Sequence, residues 1–168
     1  MKKAGKKSVI KERIKGKTKI IERELEGGTR KIYSTGIWKG KEVMHGKYAE
    51  YYEAMELTYM PKEFSRYRYG LYHGRYLSWH EDGYRAHQGN YKNGKKNGIW
   101  KTWNDDGGIE SIIHYKDGKK DGRCIEYYGD GGKAKECIYK DSKIVKKIGE
   151  WDWDEMKDYK EPRESYFE

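Results

Sequence analysis

The sequence predicts an all-β protein: an elongated, single-layer antiparallel meander of repeated β-hairpins, ending in a short C-terminal helix or tail. Three observations predict it. Glycines recur every 24 residues, at Gly74, Gly98 and Gly122 and again at Gly83, Gly107 and Gly131. Aromatic residues keep the same step, at Tyr91, Tyr115 and Tyr139 and at Trp79, Trp103 and Tyr127. Asn-Gly and Asp-Gly pairs separate strand-length segments at intervals of about 12 residues, the spacing of successive hairpins. A helical array is excluded by glycine every few residues.

The elements follow in chain order. Residues 1–35 form a basic N-terminal segment, in which residues 9–24 alternate loosely around Lys15-Gly16 and predict a capping hairpin. The repeat array occupies residues 36–151. Its first whole unit starts at Gly46-Lys47-Tyr48 and carries four extra residues within about 53–66, an insertion expected to form a loop. Three gapless units follow from Gly74, Gly98 and Gly122. Asn93-Gly94 and Asp117-Gly118 mark one set of turns, and Asp82-Gly83, Asp106-Gly107 and Asp130-Gly131 the other. Both sets are expected to be type I′, in which both central residues take positive φ. Gly149-Glu150-Trp151 begins a truncated last unit. Residues 152–168 make an acidic tail, with the helix expected from about residue 154 and broken near Pro162.

Composition agrees with a thin sheet. Charged residues make up 39% and hydrophobic ones 35%, which is poor material for a thick core. There are 17 Tyr and 6 Trp but only 2 Phe, so most aromatics carry a polar tip suited to half-exposed surfaces. The net charge is +9. Its basic share is concentrated in residues 1–19 and its acidic share in residues 152–168, so the head suits nucleic acid, anionic lipid or an acidic protein. No long apolar run or signal-peptide pattern is present, and the expected location is the cytoplasm.

Strand alternation places Leu77 and Trp79, Lys101 and Trp103, and Ile125 and Tyr127 on one face, with Tyr76, Trp100 and Cys124 on the other. Cross-strand packing accounts for most of the repeated aromatics. The pattern Gly-x-[Trp/Tyr]-x-x-[Trp/Tyr]-x-x-Asp-Gly…Tyr-x-[Asn/Asp]-Gly-Lys resembles MORN repeats, and most of all the bacterial variant found in antitoxins of toxin–antitoxin systems. The resemblance is clear over residues 67–143 and weak over 36–66. It implies a single-layer sheet of hairpins and an adaptor role in protein–protein contact, with lipid binding proposed for some members.

No catalytic motif stands out. No repeat slot is histidine throughout, and the five histidines show no metal-ligand spacing, so no metal site is expected, no cofactor, and no enzyme activity. Cys124 and Cys137 flank the Asp130-Gly131 turn symmetrically and are expected to be packed thiols rather than a disulfide. Two features are left to carry recognition. One is the insertion, with Met55, Leu57, Tyr59, Met60 and Phe64; it either contacts a partner or folds back on the sheet. The other is an aromatic sheet face expected to include Trp79, Tyr91, Trp103, Tyr115 and Tyr127.

The functional expectation is a non-catalytic inhibitor of a protein partner, a toxin or a defence enzyme, acting as an antitoxin, immunity or counter-defence protein. The alternatives are nucleic-acid binding through basic residues and stacked aromatics, and an adaptor at anionic membranes. Both would draw on Lys6, Lys7, Lys11, Arg13, Lys15, Lys17 and Lys19. Open sheet ends also suggest a homodimer.

Overall fold

The computed structural model describes residues 10–15, 18–24, 29–53 and 59–151. They form one sheet of thirteen strands. The strands are β1 (Ile10–Lys15), β2 (Thr18–Glu24), β3 (Arg30–Trp38), β4 (Lys41–Glu53), β5 (Tyr59–Arg68), β6 (Leu71–Tyr72) and β7 (Gly74–Trp79), then β8 (Arg85–Lys92), β9 (Lys95–Trp103), β10 (Ile109–Lys116), β11 (Lys119–Tyr127), β12 (Lys133–Lys140) and β13 (Lys143–Glu150). Every strand pairs antiparallel with its neighbour in sequence, except that β6 pairs β5 at one end and β7 continues the main path. At about 4.8 Å per strand the contour across the sheet is about 50 Å. The predicted all-β meander of hairpins is therefore the fold, and residues 10–15 and 18–24 pair as a hairpin of the kind predicted for the N-terminal segment. The helix expected from residue 154 and the acidic tail of residues 152–168 lie outside the described residues.

The turns divide into two kinds. In Asn93-Gly94 and Asp117-Gly118 both central residues have positive φ (51° and 78°, 51° and 89°), as type I′ hairpins require. Lys39-Gly40, Tyr69-Gly70 and Asp141-Ser142 do the same without Asn-Gly or Asp-Gly. Four of these five turns lean on the preceding hairpin. The amide N–H groups of Gly70, Gly94, Gly118 and Ser142 donate to the carbonyls of Met44, Tyr72, Lys96 and Lys120.

The second set corrects the type I′ expectation. At Asp82-Gly83, Asp106-Gly107 and Asp130-Gly131 only the glycine has positive φ. Gly83 N–H donates to His80 O, and His80 N–H to Tyr84 O, which defines a type I turn closed by a left-handed glycine. Asn104 and Tyr128 repeat those bonds. The Asp82 carboxylate accepts from Tyr84 N–H, and Asp130 from Gly132 N–H. These carboxylates accept from amides just past the turn, and the aspartates themselves do not take positive φ. The extra residue shifts the register next to each turn.

The insertion is also corrected. Its described residues, Glu53 and 59–66, belong to paired strands: β4 runs to Glu53 and β5 starts at Tyr59, in register Glu53↔Tyr59. Tyr59, Met60 and Phe64 belong to β5. Residues 54–58, with Met55 and Leu57, lie outside the described residues.

A single layer buries little. Among the described residues the buried hydrophobics are Ile21, Ala86, Trp100, Cys124, Ile125 and Cys137. Cys124 and Cys137 face each other as cross-strand partners, both buried and both free thiols. Burial pushes the Cys124 thiol up to about 11, so it stays protonated. At the far edge β13 exposes Ile144, Val145 and Ile148 between Lys143, Lys146 and Lys147. Lysines along an edge strand oppose its pairing with another strand.

Candidate functional site

The two faces of the sheet have different chemistry. On the first, which carries Trp100, an aromatic row runs from strand to strand. Tyr67 and Tyr72 lie 4.5 Å apart, Tyr72 stacks on Tyr91 at 4.9 Å, and Tyr91 meets Trp100 edge-on at 4.9 Å. Tyr76 stacks on Trp100 at 5.6 Å, and Tyr115 closes on it at 6.4 Å. Lys96 caps the row with its ammonium 4.2 Å from the Trp100 ring. A polar row lies beside it. Tyr48 donates to Glu50, Tyr72 OH to Glu63 at 3.2 Å, Ser78 bonds His87 at 3.0 Å, and Thr102 bonds Ser111 at 2.7 Å. This face is largely satisfied by its own groups. Burial, then the Glu63 charge, raises Tyr76 to about 12.

Glu50 and Glu63 are direct cross-strand partners. Burial raises both. At Glu50 it is outweighed by bonds from Tyr48 and Lys62 and by the Lys31 charge, so its carboxyl sits below the ordinary glutamate value. At Glu63 burial prevails, aided by the Glu50 charge, and the carboxyl sits above it. On the opposite face Glu136, only 4% exposed, is held low despite burial by bonds from Arg123 and Lys133. A depressed carboxyl adds stability above its unfolded pKa that is lost as pH falls through its folded value; a raised one loses its contribution as pH rises through the folded value. Thermal stability is therefore expected to fall between about pH 5 and pH 2, and Glu136→Gln to flatten that limb. Glu63→Gln is expected to raise the melting temperature at pH 7 and to change it little at low pH. Melting curves across pH check both signs.

The second face carries Trp79, half-buried like most rings of the first. Tyr51 meets Phe64 at 5.6 Å and Phe64 meets Trp79 at 5.0 Å, both edge-on. The Arg85 guanidinium bridges the row, 5.9 Å from the Trp79 ring and 5.8 Å from the Trp103 ring, and donates to Gln88 at 2.5 Å. Beside them Phe64, Leu77, Gln88, Lys101, Ile112 and Ile125 lie in register across six strands. Ile99, on the same face, is 51% exposed.

The five aromatic residues expected on one face are thus divided. Trp79, Trp103 and Tyr127 project from the second face, while Tyr91 and Tyr115 belong to the first. The reason is the paired strand: Tyr91 and Tyr115 sit opposite Gly74 and Gly98, which share the face of Tyr76 and Trp100. Phe64 folds onto Trp79, and Met60 packs with its terminal methyl 2.6 Å from where a Cβ at Gly83 would stand. Of the basic candidates, Lys11, Arg13 and Lys15 lie in β1 and Lys19 in β2, whereas Lys6, Lys7 and Lys17 lie outside the described residues. His45 and His73 accept from the amides of Tyr69 and Asn93, and His80 donates to Trp103 O, so these rings serve turns and strand ends. Among the described residues no three His, Cys, Asp or Glu side chains cluster as metal ligands, and no helix is long and apolar enough to cross a membrane.

Two groups escape the periodic pattern. Trp38 and Tyr69 stack at 3.9 Å on adjacent type I′ turns, with Ile37 (73%) and Leu71 (51%) exposed beside them. A tyrosine in the turn slot of Asn93 and Asp117 was the available signal, since it accepts φ of 53° where Asn or Asp is favoured. Lys47, Arg66 and Arg75 form the second group, which repeat alignment hides because Lys47 and Arg66 come from the irregular unit. The chain matches no protein-family model and no curated protein.

Proposed function

We propose that this chain is a non-catalytic MORN-type repeat scaffold that binds a partner protein on its second face. The supporting observation is the asymmetry of the sheet. The first face occupies its rings and polar groups with one another, while the second sets the half-buried Trp79 and Trp103 about the bridging Arg85, with Ile99 51% exposed on the same face. Tryptophan and arginine around an apolar strip are the residues that anchor protein interfaces. The partner surface is acidic with an apolar centre. Inhibition by covering that partner, as an antitoxin or immunity protein does, is the mode the repeat pattern suggests.

The test is affinity capture from the producing cell with the full chain and with Trp79→Ala/Trp103→Ala. One stoichiometric protein, lost with the double variant while the first-face variant Tyr115→Phe retains it, supports the reading. Capture that ignores the double variant overturns it. Nucleic-acid binding is the second reading, favoured by Lys47, Arg66, Arg75 and Lys101 interleaved with Phe64, Trp79 and Trp103. It requires recovery of nucleic acid with affinity falling steeply in salt.

A further inference from the structure

The ladder between β5 and β7 is interrupted. Glu63↔Ser78 and Phe64↔Leu77 pair, then β6 takes over with Tyr67↔Tyr72 and Arg68↔Leu71. Between these two short ladders, His73 N–H donates to Arg66 O and the strands part around Gly74, whose φ is 93°. A cavity of about 250 Å³ opens beside the break. Its apolar lining is Ala49, Phe64 and Leu77, which are cross-strand neighbours in one row. Its charged lining is Lys47, Arg66 and Arg75.

That charge is unbalanced. Lys47 and Arg66 are direct cross-strand partners, an arrangement of like charges that destabilises a sheet. Among the described residues none of the three cations has an acidic partner, and no acid lines the cavity. Some cations elsewhere on this sheet are compensated, Arg123 and Lys133 by Glu136 and Lys140 by Asp121 at 2.9 Å. Other like-charged cross-strand pairs, Lys92↔Lys95 and Lys116↔Lys119, sit exposed at turn ends. Lys47, Arg66 and Arg75 differ from those in surrounding a cavity with an apolar floor, beside the break in the β5–β7 ladder.

We propose that this cavity binds a compact organic anion: one phosphate or carboxylate group on an apolar body of about one ring. The anionic group meets Arg66, Arg75 and Lys47, since guanidinium forks match both oxyanions. The apolar body lies on Ala49, Phe64 and Leu77. The volume sets the size, being smaller than the 300–1,000 Å³ typical of pockets for larger organic ligands. Occupancy relieves the repulsion between Lys47 and Arg66, so ligand stabilises the fold at this break.

The test is a titration of the isotope-labelled full chain, followed by amide chemical shifts, with phenyl phosphate, 3-phenylpropionate and inorganic phosphate. Saturable shifts centred on residues 47–49, 64–66 and 75–77 are expected with one or both aryl anions. Phenyl phosphate binding alone assigns a phosphate ligand, and binding of both assigns the shared anion chemistry. Inorganic phosphate is expected to bind at least roughly tenfold more weakly. Arg66→Gln and Arg75→Gln should each weaken aryl-anion binding by roughly tenfold, while Lys92→Gln leaves it unchanged. The same spectra report folding, and Arg66→Gln without ligand should melt no lower than the native chain. Equal binding of inorganic phosphate, shifts spread over lysines outside the cavity, or full binding by both arginine variants overturns the proposal.

Discussion

Trp100→Ala is expected to cost about 3–5 kcal/mol, the largest single loss available in this sheet. Trp100 is 3% exposed, the most buried aromatic among the described residues. Its ring touches three others, Tyr76, Tyr91 and Tyr115, and lies under the Lys96 ammonium. Its indole N–H donates to Asn90 O at 3.0 Å. Truncation removes a large area from contact, leaves Asn90 O without that donor, and breaks the aromatic row between β7 and β10. A two-layer protein could collapse neighbours into the gap from a second sheet. A single layer has only the same row to draw on, so the cavity or its flooding by water persists. Denaturant unfolding should report the loss. Trp103→Ala, half-buried on the second face, should cost clearly less, and equal losses would mean that the two faces are packed alike.

That contrast shows what the sequence made legible. The 24-residue step and the alternation within each segment were enough for the meander, for the positions of the turns and for the separation of Trp79 from Tyr76. They failed where a local deviation mattered. Asp82, Asp106 and Asp130 share the dipeptide of Asp117-Gly118, yet only their glycines take positive φ; Asp82 and Asp130 accept from amides two residues on, Asn104 accepts from Gly108 N–H in the middle turn, and only three-dimensional closure distinguishes the two kinds. Tyr91 and Tyr115 were assigned to the wrong company because face membership passes through strand pairing, and pairing depends on bulges that no periodic count records. The insertion read as a loop because extra residues in an array usually are loops; here its described residues belong to the paired strands. The cavity of Lys47, Arg66 and Arg75 was invisible for a similar reason. It arises from a break in pairing at β6, and nothing in its residue types marks that break.

The repeat slots also conceal a size complementarity, and it supports the second large prediction. Tyr76, Trp100 and Cys124 occupy one slot of the period, and Gly89, Ile113 and Cys137 another. Cross-strand pairing joins Tyr76 to Gly89, Trp100 to Ile113, and Cys124 to both Ile113 and Cys137. Gly89 stands where Tyr76 pairs across one side and the Trp100 indole lies over it from the other. A Cβ at Gly89 would stand 2.3 Å from two carbons of the Trp100 indole. The φ of Gly89 is not in the left-handed region, so its glycine is required by the ring above it and not by its backbone. Gly89→Ala is therefore expected to destabilise by about 1–3 kcal/mol, through displacement of the indole from Tyr76 and from Asn90 O. The decisive measurement is a double-mutant cycle. In a Trp100→Ala background the clash is gone, and Gly89→Ala should be neutral or slightly stabilising, since alanine replaces the more flexible glycine within a strand. Additive losses in the double variant would show that Gly89 acts through the backbone, and would remove the close approach as its cause.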